Sequence, residues 1–263
     1  MTPLRVFITG ASSGIGAALA RQYAAQGATL GLLARRGAAL EALIATLPNS
    51  ARHRAYAVDV RDHAAIAEAA QAFLCYAGGA DVVIANAGVS VGTLTEYAED
   101  IAVFDTIIAT NLVATAATFS PFIAAMRAAW QTSGTPARLV GIGSVAGIRG
   151  LPGAEAYSAS KAAVISYCES LRLEMKPQGI KVVTICPGYI DTPMTRKNPY
   201  PMPFLMDPDK FAARAAQVIA AGDSYAVIPW QMGVVAKVLR MLPNVLYDLA
   251  FVNAPHKPRK TAS

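Results

Sequence analysis

"RVFITGASSGIG", residues 5–16, decides the reading of the fold. An apolar run ends at Thr9 and passes with no linker into a turn holding Gly10, Gly14 and Gly16. Glycine accepts left-handed dihedrals and lets backbone come close to a diphosphate, and a helix starting there offers free N–H groups and its positive end. Strand, glycine turn and helix in this order predict a nucleotide site, the bland alternative being a tight turn. The spacing is G-x3-G-x-G, which departs from the G-x-G-x-x-G dinucleotide fingerprint, and no Lys-Ser/Thr pair follows to make a P-loop.

Outward from this turn, short β-branched runs alternate with alanine-rich segments. Strands are predicted at 5–9, 28–34, 53–59, 81–86, 137–143, 181–186 and 225–229, and helices near 15–26, 37–47, 62–77, 100–130, 155–176 and 209–221. Seven such strands predict an α/β fold, a doubly wound parallel sheet with helices on both faces, and a ligand beyond the carboxyl ends of the strands. Residues 1–230 are read as one catalytic domain and 231–263 as an amphipathic, basic extension. Within the domain, 189–208 carries five prolines and reads as a long irregular segment.

The second predicted strand ends "GLLARRG", residues 31–37. An NAD site usually places Asp or Glu at this point to accept from the ribose 2′-hydroxyl. Here Ala34 is followed by Arg35 and Arg36. Without the acid a 2′-phosphate is not repelled, and a guanidinium binds it through charge-assisted, bidentate bonds. NADP(H) is therefore favoured over NAD(H), with Arg35 as the first reader, and Arg36 as either a second contact or a solvated charge. At the third strand end, Asp59 can accept from the adenine amino group while Val60 packs on the ring, although Asp59 and Asp62 are both candidates for a helix N-cap. Asn86, Ala87 and Gly88 end the fourth strand, where small residues let backbone pass along a cofactor.

"GSVAG" at 143–147 ends the fifth strand, and "YSASK" at 157–161 opens the next helix. Tyr157 and Lys161 are four residues apart and share a helical face. A nearby ammonium favours the phenolate and draws a phenol toward values useful for proton transfer. Ser144 is placed to donate a hydrogen bond to a substrate oxygen.

With these motifs in order, the sequence resembles the short-chain dehydrogenase/reductase family, through "TGASSGIG" at 9–16, "NAG" at 86–88, Asn111, Ser144, "YSASK" at 157–161 and "PGYIDT" at 187–192. The resemblance runs nearly to residue 230. It implies a Rossmann-like sheet and an NADP(H)-dependent carbonyl reductase or alcohol dehydrogenase. Tyr157 would be the general acid/base, Ser144 would orient the carbonyl, Lys161 would bind the nicotinamide ribose and tune Tyr157, and Asn111 would hold a relay water. It also implies Thr9, Ser12, Gly14 and Ile15 at the diphosphate turn, and Pro187, Gly188, Ile190 and Thr192 around nicotinamide. Ser13 stands where some NADP-dependent members carry a basic residue, which leaves Arg35 most of the phosphate selectivity. The frequent "NNAG" is "ANAG" here, with Asn86 intact.

The irregular segment falls where the family forms a substrate lid. Met194, Tyr200, Met202, Phe204, Leu205 and Met206 suit a hydrophobic ketone or secondary alcohol, with Met194, Tyr200 and Phe204 as substrate contacts, and the same residues serve equally to pack on the domain or a partner. For the extension three roles are open: packing on another subunit, peripheral membrane contact through "HKPRK" at 256–260, or capping of the substrate cleft. The family resemblance also implies a homodimer or homotetramer. A 3-oxoacyl-thioester reductase and a nonenzymatic nucleotide sensor or scaffold are the competing readings.

Composition agrees with a globular enzyme of small molecules. At 54% hydrophobic and 15% charged, the chain is not of the disordered class. Half of its net charge of +6 comes from Lys257, Arg259 and Lys260, which weakens any nucleic-acid reading. Cys75, Cys168 and Cys186 lack metal-ligand spacing and are expected as buried thiols in a reducing, cytoplasmic compartment. His53, His63 and His256 form no ligand motif, and no metal is expected. The first strand starts at once, so neither a secretory signal nor an anchor is expected before it.

Overall fold

The computed structural model describes residues 3–255 and 257–259. His256 and Lys260, two of the basic-tail residues named above, lie outside them.

In β1 (Arg5–Thr9), Val6, Phe7 and Ile8 are fully buried, as a strand covered on both faces requires. It pairs in parallel with β2 (Thr29–Ala34) on one side and β4 (Val82–Ala85) on the other. With β3 (His53–Ala57), β5 (Ala137–Ile142), β6 (Ile180–Pro187) and β7 (Tyr225–Ile228), they form one parallel sheet of seven strands in the order β3-β2-β1-β4-β5-β6-β7. The chain thus reverses its direction of travel between β1 and β4, which opens a crevice at their carboxyl ends.

Alternate side chains feed two cores. Val6 and Ile8 join the layer of α1 (Gly14–Ala25), α2 (Gly37–Thr46) and α7 (Pro208–Ala221), where Leu19, Leu40 and Phe211 are fully buried. Phe7 faces the opposite layer of α3 (His63–Ala77), α5 (Ala114–Ser133) and α6 (Glu155–Met175), against Phe73 and Phe122 at centroid distances of 5.5 and 5.0 Å. The predicted doubly wound fold is the observed one.

Three local expectations change. The helix read over 100–130 is built as α4 (Asp100–Ile108), a π-helical turn (Ala109–Val113) and α5. Apolar periodicity does not register one inserted residue per turn, and such turns recur at functional sites. β3 stops at Ala57, short of Asp59. Cys75 is exposed, not buried: α3 buries Ile66, Ala69, Ala70 and Phe73, and a residue two places past Phe73 turns to the outer side. Cys168 and Cys186 are buried as expected.

The segment Asp100–Ser133 is long and apolar enough to cross a membrane, yet in the fold it packs against α3 and α6. The extension forms α8 (Trp230–Met241) and α9 (Asn244–Phe251), separated at Pro243. Arg149 fastens them, donating to the carbonyls of Leu239 and Leu242 at 2.6 and 2.8 Å while its guanidinium lies over the Tyr247 ring.

Candidate active site

The glycine turn is held by sterics. Gly10 and Gly14 have φ of +68° and +55°, and a Cβ on Gly16 would stand 2.3 Å from the Gly10 carbonyl oxygen. Any side chain there would force the turn apart. Thr9 Oγ1 accepts the N–H groups of Asn86 and Ala87 at 3.1 and 3.2 Å, and Asn86 Nδ2 donates to the Thr9 carbonyl at 2.9 Å. The Asn86 amide therefore stitches the exits of β1 and β4 together. Ser13 precedes α1 in an extended conformation without a side-chain cap, so the first N–H groups of that helix are not taken up by it.

A cleft of about 380 Å³ opens above this turn. Gly10, Ser12, Ser13, Gly14, Ile15, Asn86, Ala87 and Gly88 line its middle. One end is lined by Ala34, Arg35, Arg36, Asp59, Val60 and Arg61, the other by Ser144, Tyr157, Lys161, Pro187, Gly188, Ile190, Thr192 and Met194. Gly16 and Asn111 stand behind the lining.

Arg61 was not anticipated, although the "VDVRD" run that ends β3 carries it. It binds Asp59 with an N–O distance of 2.7 Å and holds that carboxyl below the usual carboxylate range. Asp62, not Asp59, caps α3, accepting from the Ala65 N–H at 3.0 Å. Arg35 and Arg36 are both exposed at the rim.

At the other end, Ser144 is buried at the exit of β5 and its Oγ accepts from the Ala146 N–H at 3.1 Å. That lone-pair contact leaves the hydroxyl hydrogen for another acceptor. Lys161 is 4% exposed, donates to the Ile142 carbonyl at 2.8 Å, and lies 5.9 Å from the Tyr157 ring centroid. Burial draws Lys161 down to about 8. Burial also pushes the Tyr157 phenol up, with the Ser144 hydroxyl pulling the other way. The expected lowering of Tyr157 by Lys161 is not found: removing a phenolate from water costs more than the Ser144 hydroxyl returns.

Asn111 sits in the π-helical turn and is 1% exposed. Its Oδ1 accepts from the Val89 N–H at 2.8 Å, and its Nδ2 donates to the Val89 carbonyl at 3.0 Å and to Ser160 Oγ at 2.9 Å. Ser160 in turn donates to the Tyr157 carbonyl at 2.7 Å. The amide couples the loop after β4 to the first turn of α6, and so positions Tyr157.

The irregular segment has no helix or strand of its own, and the Ile190–Met206 bridge closes its ends. Thr192 packs on the glycine turn: a Cβ on Gly14 would meet its Cβ at 3.3 Å. Of the three substrate candidates, Met194 lines the cleft. Tyr200 packs edge-on to Tyr189, within electrostatic reach of Tyr157, and burial pushes it up to about 12. Phe204 is 51% exposed and lies outside the cleft. A second unanticipated residue, Lys257, reaches the Tyr157 ring from the C-terminal segment.

The short chain dehydrogenase family model matches residues 5–201. An uncharacterized oxidoreductase of Myxococcus xanthus is 37% identical over 252 residues, 92% of this chain and 94% of that protein. The 3-oxoacyl-[acyl-carrier-protein] reductase of Chlamydia trachomatis is 32% identical over 234 residues, covering 83% and 90%. Among solved structures, 3-ketoacyl-(acyl-carrier-protein) reductase of Brucella melitensis complexed with NADH superposes with a TM-score of 0.75 at 26% identity, covering 85% and 94%. The Pseudomonas aeruginosa RhlG/NADP complex does so with 0.78 at 26% identity, covering 87% and 95%. A parallel sheet with its crevice beyond β1 and β4, and a family match over most of the chain, lead to one assignment: this protein belongs to the short chain dehydrogenase family and is an NAD(P)(H)-dependent oxidoreductase acting on a carbonyl or alcohol.

Proposed function

We propose that the protein interconverts a ketone and a secondary alcohol with NADP(H), Tyr157 acting as general acid/base. The observation that carries this reading is a single cleft with guanidinium groups at one end and Ser144, Tyr157 and Lys161 at the other. A dinucleotide phosphate fits the residues present. The glycine turn leaves room for a diphosphate, and β2 ends at Ala34 with no acid, beside Arg35, Arg36 and Arg61.

When bound, the nicotinamide supplies or takes up the hydride at the carbonyl carbon. The chain does the rest. Ser144 donates a hydrogen bond to the substrate oxygen, which fixes the carbonyl and favours charge developing there. Burial keeps Tyr157 protonated, so in the reductive direction it is a proton donor to that oxygen. Lys161, held by the Ile142 carbonyl, offsets the phenolate left behind. Asn111 fixes the start of α6. Met194 and the apolar lid suit a hydrophobic substrate, and a homo-oligomer is supported by the exposed apolar residues of α8 and α9.

A panel of ketones assayed with NADPH and with NADH tests this reading: turnover faster with NADPH is expected, and no turnover of any ketone would reject it. Similarity to 3-oxoacyl-carrier reductases favours a second reading, a 3-oxoacyl-thioester substrate. Preference for an acetoacetyl thioester over simple ketones in the same panel would select it.

A further inference from the structure

The chain returns to its own active site after α9. Gly92 N–H donates to the Pro258 carbonyl at 3.3 Å, and a Cβ on Gly92 would stand 2.3 Å from the Lys257 carbonyl oxygen. Only a glycine admits the strap so closely. Arg259 locks it: its Nε and Nη2 donate to the two oxygens of Asp100 at 2.7 and 3.1 Å, Nη2 also reaches Glu99 at 3.0 Å, and the guanidinium lies 3.4 Å from the Tyr97 ring centroid. Asp100 is 3% exposed and also accepts the Leu94 N–H at 2.8 Å, so the lock is anchored in the fold.

This lock sets the position of Lys257. Its Nζ donates to Ser90 Oγ at 2.7 Å and lies 5.5 Å from the Tyr157 ring centroid. The C-terminal segment brings Lys257 to Tyr157, and Lys257 is not one of the residues lining the nucleotide cleft. Among the described residues, no carboxylate pairs with this half-buried ammonium. A shielded cation with a neutral hydroxyl as its partner carries an uncompensated desolvation cost, and burial draws it down to about 8. An arriving anion removes that cost.

We propose that Lys257 and Ser90 form an anion subsite beside Tyr157, which selects carbonyl or alcohol substrates bearing a carboxylate. One ammonium and one hydroxyl match a small, singly charged group. The substrate class rests on the proposed ketone–alcohol function; the anion site rests on the strap geometry and the shielding of Lys257, independently of that function.

Calorimetric titration of the full chain with benzoate, in the presence of NADP+, tests the site without turnover. Lys257→Met weakens benzoate at least about tenfold and Lys257→Arg retains it, with circular dichroism checking that each variant folds. Equal binding by wild type and Lys257→Met, or no binding by either, overturns the site. In turnover, 4-acetylbenzoate is preferred over acetophenone by wild type, and the ratio of the two kcat/KM values falls about tenfold or more in Lys257→Met, chiefly through KM. A wild-type preference for acetophenone overturns the assigned substrate class. Lys257-dependent benzoate binding without turnover of either ketone would count against the proposed ketone–alcohol reading and in favour of the anion site.

Discussion

The Arg36 guanidinium donates to the Ser12 hydroxyl at 3.1 Å, which ties the exit of β2 to the glycine turn. Arg35 makes no such bond and stays exposed beside it. Arg35, which makes no side-chain hydrogen bond among the described residues, is therefore the proposed reader of a 2′-phosphate, while Arg36 has a structural partner as well as a place at the rim. Arg35→Asp is expected to lower kcat/KM with NADPH about a hundredfold and leave NADH far less affected. Arg36→Ala should cost about threefold to tenfold. Steady-state kinetics with both cofactors measures the difference, and equal losses with NADPH and NADH would remove Arg35 from this role.

Tyr157→Phe keeps the ring and removes the proton. Turnover should fall about a thousandfold, while NADPH affinity, followed by nucleotide fluorescence, stays within a few-fold of wild type. Wild-type turnover in this variant would reject Tyr157 as acid/base.

Arg259→Leu breaks the lock on the strap without touching Tyr157. Acetylation footprinting is expected to label Lys257 slowly in wild type and several-fold faster in the variant. Unchanged labelling would mean that the strap holds without the Asp100 pair.

His53 links stability to pH. It is 3% exposed, its Nε2 binds the Pro48 carbonyl at 2.9 Å, and its Nδ1 is buried with no hydrogen-bond partner among the described residues. Burial lowers its pKa below the ordinary 6.5. Between the two values the unfolded chain binds more protons than the folded one, so stability is full above pH 6.5 and declines as pH falls through that window. The thermal midpoint should drop by a few degrees from pH 7.5 to pH 5.5, and His53→Gln should flatten this slope.

α8 and α9 expose Val238, Met241, Val245, Leu246 and Leu249, with Met241 at 83%. Lys257 and Arg259 are engaged within the chain, which removes two charges from any lipid-facing role of the tail. The double change Met241→Glu and Leu249→Glu is expected to lower the mass seen by light scattering. Flotation with anionic liposomes should show no binding by wild type; binding abolished by the double change would assign the face to membrane instead.

Much of the site was legible because it is local. The glycine turn follows its strand within a few residues, Ala34 and Arg35 are neighbours, and Tyr157 and Lys161 are one helical turn apart. Asn111 was placed by resemblance, but its π-helical turn was hidden inside an apolar run. Phe204 looked like a lid residue by composition and faces solvent, since a segment rich in proline follows neither strand nor helix periodicity.

The alternation of strands and helices, the glycine turn after β1 and the helix that puts Tyr157 and Lys161 on one face were all legible in the sequence, because each is a local pattern within one strand–turn–helix unit or a single helix. Only the tertiary structure brought Arg61 to the end of the cleft with Arg35, turned the Asn111 amide into a tie across to Ser160, and laid Lys257 on Ser90 across 167 residues of chain. Such contacts join segments whose separation along the chain carries no periodic signal, so only packing, which closes the distance, creates them.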